Sequence, residues 1–329
     1  MGIARRDMLG MVLGAGALLA APWSYARANA RVRIGILKFG TVDWEMEALK
    51  KHGFDKASGV DLDLVYFAGE EASNVAFLAG DIDIIVSDWL WVSRMRSEGS
   101  DVTLVPYSTS VGAIMVPGDS PIHAVGDLAG KTIGVAGGPL DKSWLLIRAM
   151  SERDERIDLV RQSRVAYGSP PLLQQKMIEG EFDAVLNFWH FCARLEAKGF
   201  RRLFGADDAA QALGASGPVS SLGYVFHEEW AKRNPSSLTG FIKASAAAKD
   251  VLAKSDQDWE ALAPVMRAQG DELRTLRDRY RGGIPRRPLG QEAADAAKLY
   301  RVLAEIGGRK LVGRAAEMAP GTFWQAAAQ

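Results

Sequence analysis

Lys131 to Leu146 reads KTIGVAGGPLDKSWLL, an order of residues that few folds admit. Thr132 to Ala136 is a short apolar strand, Gly137-Gly138 is a turn, and a helix opens near Asp141 or Ser143. A strand that feeds a helix through a tight turn belongs in a mostly parallel sheet covered by helices. The start of such a helix carries unpaired N–H groups and a partial positive charge. A polar ligand group can dock there without a dedicated cation. Gly138 and Ser143 are therefore binding candidates. Asp141 is one too, although its carboxylate serves equally well as a plain helix cap.

The same unit recurs on both sides of this stretch. Arg31 to Phe39 reads as a first strand, followed by the turn Gly40 to Asp43, where Thr41 or Asp43 can cap a helix carrying Met46 and Leu49. Leu62 to Phe67 is a second strand, Gly69 to Asn74 opens a second helix, and Asp81 to Val86 is a third strand ending at Ser87-Asp88-Trp89. Beyond the central stretch, Ser169-Pro170-Pro171 suits the start of a helix that Gly180 ends. Phe182 to Leu186 is then a strand, with Asn187, Phe188 and Trp189 at its end. Ser220 to Phe226 is a further strand. From Pro235 onward the pattern is helical: 235–254, 256–269, 272–280 and 291–306. Short strands at 103–105 and 112–116, together with the return at 214–222, suggest two lobes joined by crossovers. The tail would fold back on the first lobe.

Several function classes drop out on composition. Forty basic and forty acidic residues cancel, which gives no electrostatic footprint for nucleic acid. Cys192 is the single cysteine, so no intramolecular disulfide and no multi-cysteine metal site can form. It lies in an apolar run and reads as a buried structural thiol. The four histidines are scattered, without a metal-binding spacing, and neither a P-loop nor a G-x-S-x-G elbow is present. No catalytic, metal or cofactor site is expected. Arg5-Arg6, an apolar run from Met8 to Ala21 and Ala26-Arg27-Ala28 read as an export signal over residues 1–28, of the twin-arginine or the general secretory type. Without it the chain holds 37 basic and 39 acidic residues and would be periplasmic.

Three phrases carry a family resemblance. Phe77 to Ile84 (FLAGDIDI) and Met177 to Ala184 (MIEGEFDA) each end a helix at a glycine and begin a buried strand with Asp. Asp127 to Val135 (DLAGKTIGV) leads into the central turn, and the C-terminal third is helical. Together they resemble the periplasmic binding proteins of ABC importers, in particular the nitrate/sulfonate/taurine (NitT/TauT, SsuA-like) branch. The resemblance implies an α/β fold of two lobes (type II-like), each a mostly parallel sheet flanked by helices, with a helical C-terminal tail. Lobe 1 would comprise residues 29–112 plus 218–329 and lobe 2 residues 113–217. It also implies a monomer that binds a small-molecule ligand between its lobes and delivers it to an ABC permease. Relatives that synthesise a thiamine pyrimidine supply an enzymatic alternative, and an accessory or sensor protein of the same fold a third. Where sulfonate and taurine binders carry Ser and Thr after the middle strand, this chain has Gly137-Gly138-Pro139-Leu140-Asp141, and Asp88 follows its third strand. The residues expected to touch ligand are Asp43, Trp44, Ser87, Asp88, Trp89, Gly138, Asp141, Ser143, Asn187 and Trp189. With Glu70, Trp91, Trp144 and Phe188 nearby, this set suits a cationic or ring-bearing ligand better than a bare anion.

Overall fold

The computed structural model describes residues 29–325 apart from Phe39, and the export signal read at 1–28 lies outside the described residues. Among the described residues ten strands run in chain order: β1 Ala30–Leu37, β2 Val60–Phe67, β3 Ile84–Asp88, β4 Val102–Ser108, β5 Ala113–Val116, β6 Thr132–Ala136, β7 Arg164–Gly168, β8 Ala184–Asn187, β9 Arg201–Gly205 and β10 Leu222–His227. They form two five-stranded sheets, β2-β1-β3-β10-β4 and β7-β6-β8-β5-β9. In each sheet the first three strands are parallel and the fourth runs antiparallel to its neighbours. The fourth strand of each sheet comes from beyond a crossover. β5 follows β4 after the short link 109–112, while β10 returns to the first sheet from beyond β9.

The two sheets are built alike down to single hydrogen bonds, and the paired phrases are the reason. Helix Glu70–Leu78 ends with Gly80 N–H donating to Phe77 O at 3.0 Å and Asp81 N–H to Ala76 O at 3.0 Å. Helix Pro170–Ile178 ends with Gly180 N–H donating to Met177 O at 3.2 Å and Glu181 N–H to Lys176 O at 3.0 Å. Gly80 (φ 81°) and Gly180 (φ 77°) supply the left-handed residue this helix end requires. Three residues on, the Asp83 carboxylate accepts from Arg33 N–H at 2.8 Å, and that of Asp183 from Thr132 N–H at 2.7 Å. Each Asp thereby fixes the start of its strand against the neighbouring one.

The apolar core does not stop at the lobe boundary. One cluster runs from Ile85, Trp89 and Val92 of the first lobe through Leu299, Tyr300 and Leu303 of the tail to Trp144, Leu145 and Ile147 of the second. Helix Leu289–Val312 packs against both Trp89–Ser97 and Lys142–Met150. A second bridge joins Trp44 and Ala48 to Ala193 and Trp189 through Trp259, Leu276 and Tyr280. Arg279 pairs with Glu196 at 2.7 Å, and Arg194 with Glu272, tying helix Gly270–Gly282 to the second lobe. The tail expected to return to the first lobe therefore straps both. Its apolar stripe faces two partners at once, which the sequence pattern of a single helix does not display.

Candidate functional site

The C-terminal ends of β3, the middle strand of the first sheet, and of β6, beside the middle strand of the second, face a seam between the lobes. At the end of β6, Gly137 (φ 81°) and Gly138 (φ 86°) are both left-handed, a conformation that favours glycine at each position. A Cβ on Gly137 would stand 2.8 Å from Asp141 Oδ2. Asp141 caps helix Lys142–Met150, its Oδ1 accepting from Trp144 N–H at 3.0 Å. At the end of β3, Asp88 caps helix Trp89–Ser97 in the same way, Oδ1 accepting from Trp91 N–H at 2.8 Å. Asp88 Oδ2 then accepts from Lys142 Nζ at 2.5 Å. One lobe's cap is thus the ion partner of the residue beside the other lobe's cap.

Two helix starts converge here, and each is neutralised by its own carboxylate. Glu70, first residue of helix Glu70–Leu78, lies at the rim of the same cluster. Burial alone would lower the Lys142 ammonium; the Asp88, Glu70 and Asp141 carboxylates outweigh it and hold its pKa above the ordinary value. Glu70 keeps a solvent-facing surface, yet the surrounding protein, then Asp88 and Asp141, raise its carboxyl against the pull of Lys142. Burial likewise raises Asp141 against the bond from Trp144 N–H. Three acids and one lysine leave the cluster with a formal charge of −2 when ionised.

The remaining candidates are placed as follows. Ser143 and Asn187 lie close together: a Cβ on Gly112 would meet Ser143 Oγ at 3.4 Å and Asn187 O at 2.6 Å. The buried Asn187 side chain is spent on backbone, donating to Pro170 O at 2.9 Å and accepting from Phe188 N–H at 2.8 Å. It shapes the turn before helix Trp189–Glu196, and both its polar atoms face protein. Asp43 Oδ1 accepts from Tyr66 O–H at 2.8 Å. Ser87 is buried in the pairing of β3 with β10. The tryptophans divide. Trp89 is 6% exposed and lies 6.4 Å from the Tyr300 ring, and Trp144 is fully buried. Both rings are packing between lobe and tail rather than the ring wall the sequence suggested. Trp44 is 5% exposed, with its ring 5.8 Å from Trp189 and 6.2 Å from Trp259. Of the aromatic residues named from the sequence, Trp189, Trp91 and Phe188 keep open surface. Sequence reading missed Lys142 as the seam's cation, because its partner Asp88 lies 54 residues away on the other lobe. It also missed Glu45, wholly buried, which accepts from Tyr224 O–H (2.7 Å), Ser245 O–H (2.6 Å), Lys249 Nζ (2.5 Å) and Tyr280 O–H (3.0 Å) and so pins helix Val42–Lys51 beside the seam.

Cys192 is buried and its thiol is pushed up to about 12, principally by burial. The His190 imidazole is held at about 3, again by burial, with Arg194 adding to the effect. Among the described residues no cluster of His, Cys, Asp and Glu is arranged to hold a metal ion, and no helix is long and apolar enough to cross a membrane.

These features agree with what the chain resembles. The family model described as NMT1/THI5 like matches residues 48–258. No curated protein sequence matches. Among solved structures, the periplasmic aliphatic sulphonate binding protein SsuA from Escherichia coli superposes with a TM-score of 0.67 at 19% identity, covering 87% of this chain and 94% of that one. The alkanesulfonate-binding protein SsuA from Xanthomonas axonopodis pv. citri, bound to MOPS, gives 0.65 at 18% identity over 90% and 99%. The desulfurization enzyme DSZB gives 0.55 at 14% identity over 84% and 92%. Identities this low establish the fold, which is the SsuA-like one that the three phrases led us to expect. With a family model spanning most of its length and two lobes built on repeated sheets, this chain belongs to the NMT1/THI5-like family.

Proposed function

We propose that this protein is an extracytoplasmic solute-binding protein. It is exported by the signal at residues 1–28, acts as a monomer in the periplasm, captures a small organic molecule at the seam between its lobes and delivers it to an ABC permease. The lobes follow the two sheets, residues 29–112 with 218–329 and residues 113–217. Asp88, Asp141, Lys142, Glu70 and Ser143 form the ligand-facing group, with Asp43, Gly138 and Trp189 beside it. Trp44, Ser87, Trp89 and Asn187 support these positions from behind.

One observation carries the ligand class: the two helix starts at Asp88 and Asp141 are already occupied by the protein's own carboxylates, and Lys142 beside them is spent on Asp88. At these two starts a bare anion would find no free positive end, and it would meet the net negative charge of Glu70, Asp88 and Asp141. A cationic head group would replace Lys142 on Asp88 or sit beside Glu70 and Asp141, with the open faces of Trp189 and Phe188 for its apolar part. The folds of the sulfonate binders support capture between lobes, while this chain's own loops argue for a different charge on the ligand.

A thermal-shift panel of the chain from Asn29 tests this reading, with quaternary amines, aminopyrimidines, arylamines, sulfonates, nitrate and bicarbonate as probes. A ligand held at about 100 times its Kd adds roughly 2.7 kcal/mol to stability and raises the midpoint measurably. A cationic hit that is lost in Asp88→Ala fits the proposal. A hit confined to sulfonates or nitrate overturns the ligand class. A panel without response counts against solute capture.

A further inference from the structure

Two crossovers join the lobes, 109–112 between β4 and β5, and 213–221 between helix Ala206–Ala212 and β10. Each leads from the edge strand of one sheet to the strand next to the edge of the other. Links of this kind are where backbone dihedrals absorb a change in lobe angle. In this protein the polar groups that would have to swing are held by a third piece of chain. It comprises the end of helix Gly270–Gly282, the loop 283–288 and the first turns of helix Leu289–Val312.

At the first crossover, Thr109 donates to Gly283 O twice, from its N–H at 2.8 Å and its O–H at 3.2 Å. Ser110 Oγ lies 3.5 Å from Arg279 O. Gly283 is buried and passes directly over this link. A Cβ on it would overlap Ser110 Oγ and stand 3.2 Å from Ser110 N. Its φ of −90° is open to any residue, so close approach and not backbone conformation calls for glycine here.

At the second crossover every other residue from Gly214 to Ser220 is held. Lys298 Nζ donates to Gly214 O at 3.2 Å. Asp295 Oδ2 accepts from Ser216 N–H at 2.9 Å and from its O–H at 2.7 Å. Arg287 donates to Pro218 O at 2.7 Å, and to Ser216 Oγ and Asp295 Oδ2 at 2.9 Å each. Glu292 Oε2 accepts from Ser220 N–H at 2.9 Å. Asp295 and Glu292 are both buried, so water does not compete for these bonds.

We propose that Arg279 to Lys298 form a strap that sets the angle between the lobes, with Arg287 as its fastening. That one guanidinium joins Asp295 of the strap to Ser216 and Pro218 of the crossover. Pro285 and Pro288 fix φ along the loop and stiffen it. Arg279 is tied to the second lobe through Glu196, and helix Leu289–Val312 lies against both lobes. Val111 and Ser221 take no bond from the strap, which leaves them as the pivots. None of the strap residues belongs to the ligand-facing group, so the strap acts on the seam through lobe spacing alone, whatever the seam binds.

Spin labels on Val75→Cys in the first lobe and Leu172→Cys in the second, both exposed positions, read the lobe spacing in a Cys192→Ser background of the protein as exported. Arg287→Ala and Arg287→Lys cut the fastening, the latter while keeping a charge beside Asp295. Gly283→Ala pushes the loop off Ser110, and adding Ser110→Gly removes the obstructing hydroxyl. Arg286→Ala, at an exposed neighbour, is the control. Distance distributions about twofold wider than the parent's are expected in both Arg287 variants and in Gly283→Ala. Ser110→Gly should restore the parental width to Gly283→Ala, and Arg286→Ala should keep it. A parental width in Arg287→Lys or Gly283→Ala, or widening that Arg286→Ala shares or that Ser110→Gly leaves in place, overturns the strap. Widening found only in variants that have lost cooperative urea unfolding overturns it too.

Discussion

Cutting the ion pair that crosses the seam has a calculable consequence. Lys142 Nζ and Asp88 Oδ2 are 2.5 Å apart, with the Asp88 side chain 10% exposed and that of Lys142 39% exposed. Charge-assisted bonds of buried groups contribute about 1.5–3 kcal/mol, and ion pairs in open solvent about 0.2–1 kcal/mol. With one partner buried and the other more than a third exposed, screening brings the coupling to about 1–1.5 kcal/mol. Asp88→Asn keeps an oxygen able to cap Trp91 N–H, and Lys142→Met keeps most of the apolar stem, so the two substitutions isolate the charge pair. Asp88→Ala would add the loss of the cap, about 1 kcal/mol. Lys142→Met alone should cost more than the coupling, about 2 kcal/mol, because it strands a nearly buried carboxylate. A double-mutant cycle by urea unfolding reads the coupling directly. Since the two residues belong to different lobes, the same free energy shifts the closed-to-open ratio about five- to twelvefold toward open. Small-angle scattering would record that as a larger radius of gyration in either single variant. A coupling within 0.3 kcal/mol of zero, with unchanged scattering, would refute the claim that this pair holds the lobes together.

Other outcomes follow from the packing and the buried charges. Trp44→Ala opens a hole among Trp189, Trp259 and Tyr280. It should lower unfolding free energy by about 3–5 kcal/mol in urea titrations, and a loss below about 1 kcal/mol would mean the rings are not packed as described. Asp295 is nearly fully buried, and although burial would raise its carboxyl, bonds from Ser216, Lys298 and Arg287 hold it well below the ordinary carboxylate range. The stability it contributes is therefore present above about pH 4 and is lost as pH falls toward its lowered folded value. The urea midpoint should drop between pH 5 and pH 3, and Asp295→Asn should flatten that slope and cost about 3 kcal/mol at pH 7. The Cys192 thiol, buried and raised, should not react with a thiol reagent until the chain is denatured, and reaction at the native rate of an exposed cysteine would contradict its placement.

Much of the fold was legible because two stretches repeat. A glycine with positive φ followed by an aspartate that ties down the next strand is a local, sequence-visible device, and it occurs at 80–83 and again at 180–183. β6 and the helix 235–254 were read to the residue for similar reasons: glycine and proline punctuate their ends. β9 was missed because Arg201-Arg202 opens it. An edge strand tolerates charge on its open side, and periodicity then gives no signal. The bridging role of the tail was hidden because an apolar stripe does not say how many neighbours it has.

At the seam, the two helix-capping carboxylates were legible and the aromatics much less so. Asp88 and Asp141 stand directly before helices, where a carboxylate has an immediate backbone task, and they brought the seam with them. Trp44, Trp89 and Trp144 also lie at helix starts. A tryptophan there can turn toward solvent or core, and the tail helices that decide between these are more than a hundred residues away. The Asp88–Lys142 contact could not be read from sequence, since it depends on how two lobes meet.

The proposed function stands on a seam that selects positive charge. The most direct measurement is calorimetric titration of the chain from Asn29 with choline, benzylamine and ethanesulfonate at equal ionic strength, repeated on a Glu70→Gln/Asp141→Asn variant. Heat of binding is expected from at least one of the two amines. Affinity should weaken at least tenfold in the variant and fall on acidification toward pH 5, as the raised Glu70 and Asp141 carboxyls protonate. No saturable heat should come from ethanesulfonate. Saturable binding of ethanesulfonate, strengthened in the variant and absent for both amines, would contradict it.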